Sequence, residues 1–302
     1  MILRSLLAEL ESVPLHILEM WNRCGGLEIH GLISLISSPT DTSVISPVEP
    51  IELPSELSPN EQHLEAGFHS LVVGETSFCI LHDGSIENLR KLVDESYPAN
   101  RIWIITPESS LGEVEAGLRG TRSVEIFTSF TLPSLTPAYG IIWNDETPLS
   151  YAGGCGDLYG ILSEGGTLDE FNRMGGKYIL FTRSSSPSVR LHPLLSHHIS
   201  SSTSITAVVG KRIHGYPLLT HEGLIEENDI VGDENLTFSG LGTYVLPSTL
   251  TNCEVQWEWR RVRNIVNGNI TIEFHRELSQ LTRILPTNYV IEPRNIPNNS
   301  CC

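Results

Sequence analysis

The sequence predicts an α/β protein built on a mixed, mainly parallel sheet covered by helices. Three observations carry this. Strand-length apolar runs alternate with helical patterns through the middle of the chain, which is the signature of parallel strands joined by crossover helices. A hairpin signal near the C-terminus adds antiparallel strands. The 302 residues, 40% of them hydrophobic, are enough to fill a substantial core.

Taken in order, Leu3, Leu6, Leu7 and Leu10 recur at helical spacing before Pro14, and Ile17, Leu18 and Trp21 continue the apolar pattern. This is a helical preamble. Residues 37–59 turn to Ser, Thr and Pro, with Pro39, Pro47, Pro50, Pro54 and Pro59, the composition of an extended connector. The expected organisation is a preamble and Ser/Pro-rich linker over residues 1–60, then one folded domain over 61–302. Within that domain the apolar run Arg101–Thr106 reads as strand, 111–118 as helix and 123–127 as strand. Residues 157–171 read as helix broken at Gly165-Gly166, 177–182 as strand, 192–200 as helix and 205–209 as strand. Asn267-Gly268 sits between apolar-rich runs and predicts a two-residue hairpin turn, because both residue types tolerate a positive φ. No internal repeat is apparent.

Nineteen Lys plus Arg against thirty-six Asp plus Glu give a net charge of -17. That balance argues against nucleic acid or an anionic membrane as a partner. No apolar run approaches the roughly 20 residues of a membrane span. Glu9 and Glu11 interrupt the only start that resembles a signal peptide, so a cytoplasmic protein is expected. The six cysteines, Cys24, Cys79, Cys155, Cys253, Cys301 and Cys302, show neither zinc spacing nor disulfide density, and reduced thiols are expected. The one dense basic cluster, Arg260, Arg261 and Arg263, lies beside Trp257 and Trp259. It reads as alternation on a half-buried strand, or as a stacking and phosphate surface. His192, His197 and His198 fall on one short helix, where histidines cover surface or core more readily than they bind zinc.

The segment Gly153-Gly154-Cys155-Gly156-Asp157 places three glycines ahead of a helix whose first turn begins with an acid. Glycines let backbone approach a ligand closely, and N–H groups at a helix start suit phosphate or a nucleobase edge. The same residues also suit a strand-to-helix turn with an Asp cap.

From this segment outward the chain resembles the UTP–glucose-1-phosphate uridylyltransferase and UDP-sugar pyrophosphorylase family, in which Gly-His-Gly-Asp precedes a helix. Here Gly154-Cys155-Gly156-Asp157 is followed by Leu168-Asp169-Glu170-Phe171, by Gly175-Gly176-Lys177-Tyr178-Ile179-Leu180-Phe181, and later by His197-His198-Ile199, in the family's order. Upstream, Phe127-Thr128-Ser129-Phe130 through Leu135-Thr136-Pro137 resembles the stretch before that motif. Downstream, Trp259-Arg260-Arg261-Val262, residues 272–278 and Tyr289-Val290-Ile291-Glu292-Pro293-Arg294 resemble the distal sugar-side strands and a Val-Pro-Arg segment. The resemblance implies a nucleotidyltransferase-type three-layer α/β/α sandwich, with a nucleotide half at 61–150 and a sugar half at 151–302.

The resemblance also implies a reaction: attack of a sugar-1-phosphate oxygen on the α-phosphorus of UTP, releasing pyrophosphate, with Mg2+ if the protein is active. Lys211, Arg261 and Arg294 are then the expected catalytic cations. Gly153, Gly154, Cys155, Gly156, Asp157 and Ser185 are the expected nucleotide- and sugar-binding residues. The metal ligands are unknown, with Asp145, Asp229 and Asp233 as candidates besides Asp157. UTP, a UDP-sugar or a sugar-1-phosphate is the expected ligand, and a paralogue or a second copy a possible protein partner.

The sequence departs from the family at several functional positions. A Gly-rich triphosphate loop is not found. Ser185 stands where the family has the metal Asp, and a neutral hydroxyl is a poor magnesium ligand. Cys155 replaces the motif His. Scaffold residues such as Asp169, Phe171 and Tyr178 are kept, a pattern expected of a fold retained without its chemistry. Two readings follow: an unusual uridylyltransferase, or a catalytically inactive relative that binds nucleotide sugar or regulates a partner.

Overall fold

The computed structural model describes residues 43–44, 48–53, 75–95, 101–186, 191–201, 203–226, 230–231, 236–250 and 259–291. The expected preamble and most of the expected linker lie outside them.

A ten-stranded sheet organises the described chain. It begins with β1 (Ile51–Glu52), β2 (Thr76–Leu81), β3 (Arg101–Thr106) and β4 (Glu125–Thr128). A short antiparallel pair outside it follows, β5 (Thr131–Pro133) with β6 (Ser150–Ala152). The main sheet resumes with β7 (Tyr178–Arg183), β8 (Ile205–Lys211), β9 (Leu218–Thr220), β10 (Gly223–Ile225) and β11 (Phe238–Pro247). A separate hairpin of β12 (Arg260–Val266) and β13 (Asn269–His275) precedes the last strand, β14 (Thr287–Ile291).

Across the sheet the order is β1, β14, β8, β11, β7, β2, β3, β4, with β9 and β10 hanging from β11. Neighbours along this path are parallel except at β11, which runs antiparallel to both β7 and β8. The sheet is mixed and mainly parallel, as the sequence predicts. Strands from both sides of residue 150 share it. Its first strand, Ile51–Glu52, comes from the stretch expected to be a connector, and Leu53 behind it is buried.

The strands alternate their side chains between two apolar layers, because successive residues point to opposite faces. On one face Cys79, Trp103, Ile179 and Phe181 pack against α3 (Leu158–Glu164) and α4 (Thr167–Arg173), which contribute Leu158, Tyr159, Leu162 and Phe171. On the other face Phe78, Ile80, Ile104 and Leu180 meet α1 (Ile86–Glu95), α2 (Leu111–Gly117) and α5 (Leu191–Ser201) through Leu89, Val93, Val114 and Leu194. Two such layers on one sheet make an α/β/α sandwich. The expected break at Gly165-Gly166 separates α3 from α4, and the Asn267-Gly268 turn has both φ angles positive, 51° and 78°. No helix among the described residues is long and apolar enough to cross a membrane.

Candidate functional site

In open sheets of this kind the loops diverge beyond the carboxyl ends of the parallel strands, leaving a crevice there. β2 and β7 end side by side at Leu81 and Arg183. The residues that follow tie the two loops together. Asp83 accepts hydrogen bonds from Arg183 Nε at 2.5 Å and from the amide and hydroxyl of Ser185, each at 2.9 Å. In return Ser184 Oγ accepts from the amides of Asp83 at 2.9 Å and Gly84 at 2.8 Å.

The stem of Arg183 runs past Gly242 on β11. There the pairing with β8 slips between Ala207 and Val209, and Gly242, within the slipped stretch, has φ +73°. A Cβ at this position would stand 2.8 Å from Arg183 Cδ. Beyond it opens a cleft of about 370 Å³. Arg183, Tyr244, Glu226 and Cys155 line it from the main domain, and Arg260, Arg263, Asn264, Glu273 and His275 from the β12–β13 hairpin. Three arginines share the cleft with three glutamates, Glu226, Glu273 and Glu277, so its lining is densely charged and balanced.

The acids of the cleft are engaged by their own neighbours. Glu226 pairs with Arg260 at 3.3 Å. Glu273, 4% exposed, accepts from Thr271 at 3.1 Å and lies 3.2 Å from His275 Nε2. Burial pushes the Glu273 carboxyl up, but the hydrogen bonds from His275, Thr271 and Asn264 outweigh it and hold it below the ordinary range. Cys155 donates its S–H to Glu277 at 2.9 Å, and the Leu278 amide donates to its sulfur at 3.3 Å. Burial, then the Glu277 charge, pushes the thiol well up, so it remains a protonated donor and not a nucleophile.

The glycine turn forms the floor beside this cleft. Gly154 has φ +102°, and a Cβ there would lie 2.2 Å from the carbonyl oxygen of Arg276. The Gly156 amide donates to that same carbonyl at 2.8 Å, and the Arg276 amide donates to Gly153 O at 2.8 Å. The close backbone approach that the glycines permit is therefore made to the chain itself. Asp157 sits at the N-cap position of α3 without a side-chain cap hydrogen bond. Its Oδ1 instead takes a charge-assisted hydrogen bond from Arg276, whose guanidinium stacks 4.1 Å over the Trp259 ring. Burial, outweighing the Arg276 charge, pushes the Asp157 carboxyl up to about 6.

The structure brings some of the expected residues together and leaves others apart. Gly153 to Asp157 adjoin the cleft, with Cys155 on its wall. Ser185 is exposed and turned to Asp83. Lys211 is exposed at the end of β8, ahead of Gly215, Tyr216 and Pro217 on the cleft rim. Arg261 lies outside the cleft lining, donating to the Tyr139 hydroxyl at 2.8 Å. Arg294, Asp229 and Asp233 lie outside the described residues. Sequence reasoning passed over Arg183 and Glu226, and weighed Arg260 only as one of a basic cluster that reads as strand or as phosphate surface. For Arg260 a signal existed: counting back by twos from the Asn267-Gly268 turn puts Arg260, Val262 and Asn264 on one face of β12, the face turned to the cleft, while Arg263, on the other face, reaches its rim.

A divalent ion in this cleft would need carboxylate oxygens turned toward a phosphate. Glu226, Glu273 and Asp83 are each held by a cation or by several donors, and Glu277 accepts from a thiol. Among the described residues no three His, Cys, Asp or Glu side chains are grouped to share a metal. His198, on the helix of the three histidines, is buried with its Nδ1 2.9 Å from Thr206 Oγ1.

No family model matches the sequence, and no curated protein sequence matches it. Solved structures do match in fold. A UDP-glucose pyrophosphorylase variant from Leishmania major, in complex with UDP-glucose, superposes with a TM-score of 0.68 at 11% identity, covering 97% of this chain and 76% of that one. A Trypanosoma brucei UDP-glucose phosphorylase gives 0.67 at 13%, covering 88% and 70%. A protein from Entamoeba histolytica assigned as a UDP-N-acetylglucosamine pyrophosphorylase gives 0.64 at 13%, covering 83% and 81%. The chain has the fold of these nucleotidyltransferases. At such identity the likeness is one of architecture.

Proposed function

We propose that this protein binds a UDP-sugar or a related uridine nucleotide in the cleft between Arg183 and Arg260 and does not turn it over efficiently. The observation that carries the reading is the arginine-lined cleft at the carboxyl end of β7, in a fold shared with a protein solved with UDP-glucose bound. Guanidinium groups suit phosphate oxygens, being planar, always charged and multiply donating. The cleft acids and Tyr244 supply acceptors and donors for hydroxyl groups.

The same geometry argues against fast catalysis. Uridylyl transfer needs cations free to follow charge as it develops on the phosphates, and removing one such group costs a factor of about a hundred or more. Arg183 and Arg260 are here tied to Asp83 and Glu226, and Ser185 stands where the resembled family has an acid. Each cation must break or share an ion pair to follow a moving charge.

Calorimetry with UDP-glucose and with UTP, each with and without Mg2+, followed by pyrophosphate-release measurements with UTP and glucose-1-phosphate, tests both halves. Saturable binding without release supports the reading. Release at enzyme-like rates overturns the second half, and absence of binding overturns the first.

A further inference from the structure

The β12–β13 hairpin carries a second surface along its outer edge, which meets the cleft rim at Arg263. β12 pairs with β13 and, among the described residues, with no other strand. The two-residue turn sets Val266 opposite Asn269 as the closing pair, so the ladder bonds fall on Val266, Asn264, Val262 and Arg260. The N–H and C=O groups of Arg261, Arg263 and Ile265 then point away from β13. In keeping with this, the Ile265 amide is satisfied by its neighbour's side chain, Asn264 Oδ1 at 2.8 Å.

The side chains on this edge are unusual for a solvent-facing strand. Ile265 is 71% exposed and directly faces Ile270, itself 53% exposed, making an apolar pair open to water. Arg261 and Arg263 are exposed on the same face of the strand, and Arg263 makes no ion pair among the described residues. Residues 260–275 hold three arginines and one acid, the buried Glu273, in a chain with an excess of seventeen acids over Lys plus Arg. A two-stranded ribbon is marginal in water, and an open edge with an apolar pair is a template for a third strand.

We propose that the edge of β12 left open among the described residues docks an extended acidic segment of a partner protein, which adds as a third strand. Backbone hydrogen bonds to residues 261 and 263 and to the carbonyl of Ile265 supply the pairing. Alternate side chains of the segment supply the match: acidic opposite Arg261 and Arg263, apolar over Ile265 and Ile270. The charge pattern also says what is refused. Two copies of this chain that paired edge to edge would set arginines against arginines, so these residues reject their own kind while selecting an acidic strand.

The probe is a fluorescein-labelled peptide, Thr-Glu-Thr-Glu-Thr-Val-Thr-Thr, followed by anisotropy with the full chain. Saturable binding is expected, weakening several-fold as salt rises from about 0.05 to about 0.5 M. The double variant R261E/R263E, checked for native circular dichroism, is expected to bind at least about tenfold more weakly. A control that leaves the protein untouched is the same peptide methylated on alternate backbone nitrogens, which loses strand pairing and is expected not to bind. The proposal is overturned if the methylated peptide, a Lys-for-Glu peptide or the double variant binds as well as the reference pair, or if nothing binds. It is also overturned if sedimentation shows a dimer that R261E/R263E dissociates, which would give the edge to a second copy.

Discussion

Asp157 and Arg276, 119 residues apart in sequence, meet in a buried ion pair beside the glycine turn, with Trp259 stacked on the guanidinium. The arrangement joins the start of α3 to the end of the β12–β13 hairpin. Breaking one half leaves a charge in a site that excludes water. Arg276→Met should destabilise the fold by about 3–5 kcal/mol, and adding Asp157→Asn should recover part of that loss. Urea titration of the two variants reads both values; equal stability of Arg276→Met and the parent would contradict the pairing.

His198 predicts an acid limb. Burial, then the neighbouring His197, pushes its imidazole down to about 4, while an unfolded histidine titrates near 6.5. The unfolded state therefore takes up a proton first as pH falls. Stability from this group is present above pH 6.5 and is lost as pH drops toward 4. Between pH 7 and pH 5 that amounts to about 2 kcal/mol. Asp157 acts with the opposite sign, since its raised folded value makes the folded state take up the proton between about pH 6 and pH 4. The two partly cancel in the parent. In His198→Gln the His198 loss is absent, so the stability gap between parent and variant should shrink by about 2 kcal/mol from pH 7 to pH 5.

Two glycines separate backbone strain from crowding. Gly120 has φ +81° and open space for 4 Å around the position a Cβ would take, whereas Gly154 has φ +102° and the Arg276 carbonyl oxygen in the way. Gly120→Ala should cost about 1 kcal/mol. Gly154→Ala should cost several times as much, because the turn must separate from residue 276. Thermal unfolding of the two variants gives the comparison.

For ligand binding the contrast lies between Arg260, in the cleft, and Lys211, outside its lining. Arg260→Ala should weaken UDP-glucose binding by about tenfold or more, as expected for loss of a charge-assisted contact beside an unmasked Glu226. Lys211→Ala should change it less than about twofold. Calorimetry that ranks them the other way would move the phosphate site toward the end of β8.

The sheet was legible where strands are apolar and bounded by turn residues. Arg101–Thr106 matches its strand residue for residue, and the break at Gly165-Gly166 and the turn at Asn267-Gly268 fall where glycine requires them. β11 was harder to see. Phe238-Ser239-Gly240-Leu241-Gly242 carries two glycines and a bulge, which hide the period of a strand that is central to the sheet. The site was less legible for a different reason. The partners of Arg183, Glu226 and Asp157 lie at sequence separations that no local pattern encodes, and the glycine turn that suggested a ligand contact is filled by residues 276–278.

The contact between Gly154 and Arg276 also sets an order of events during synthesis. At roughly 5–20 residues per second, the ribosome releases residue 276 some ten seconds after residue 157, and until then the floor of the cleft has nothing to close on. β7 waits likewise for β11, its antiparallel neighbour. Until residue 276 is made Asp157 lacks its partner, and until residue 247 is made the edge of β7 is bare. Chain elongation, more than local propensity, times when this fold can close, and the nascent chain is most open to capture by other strands while its last quarter is still being made.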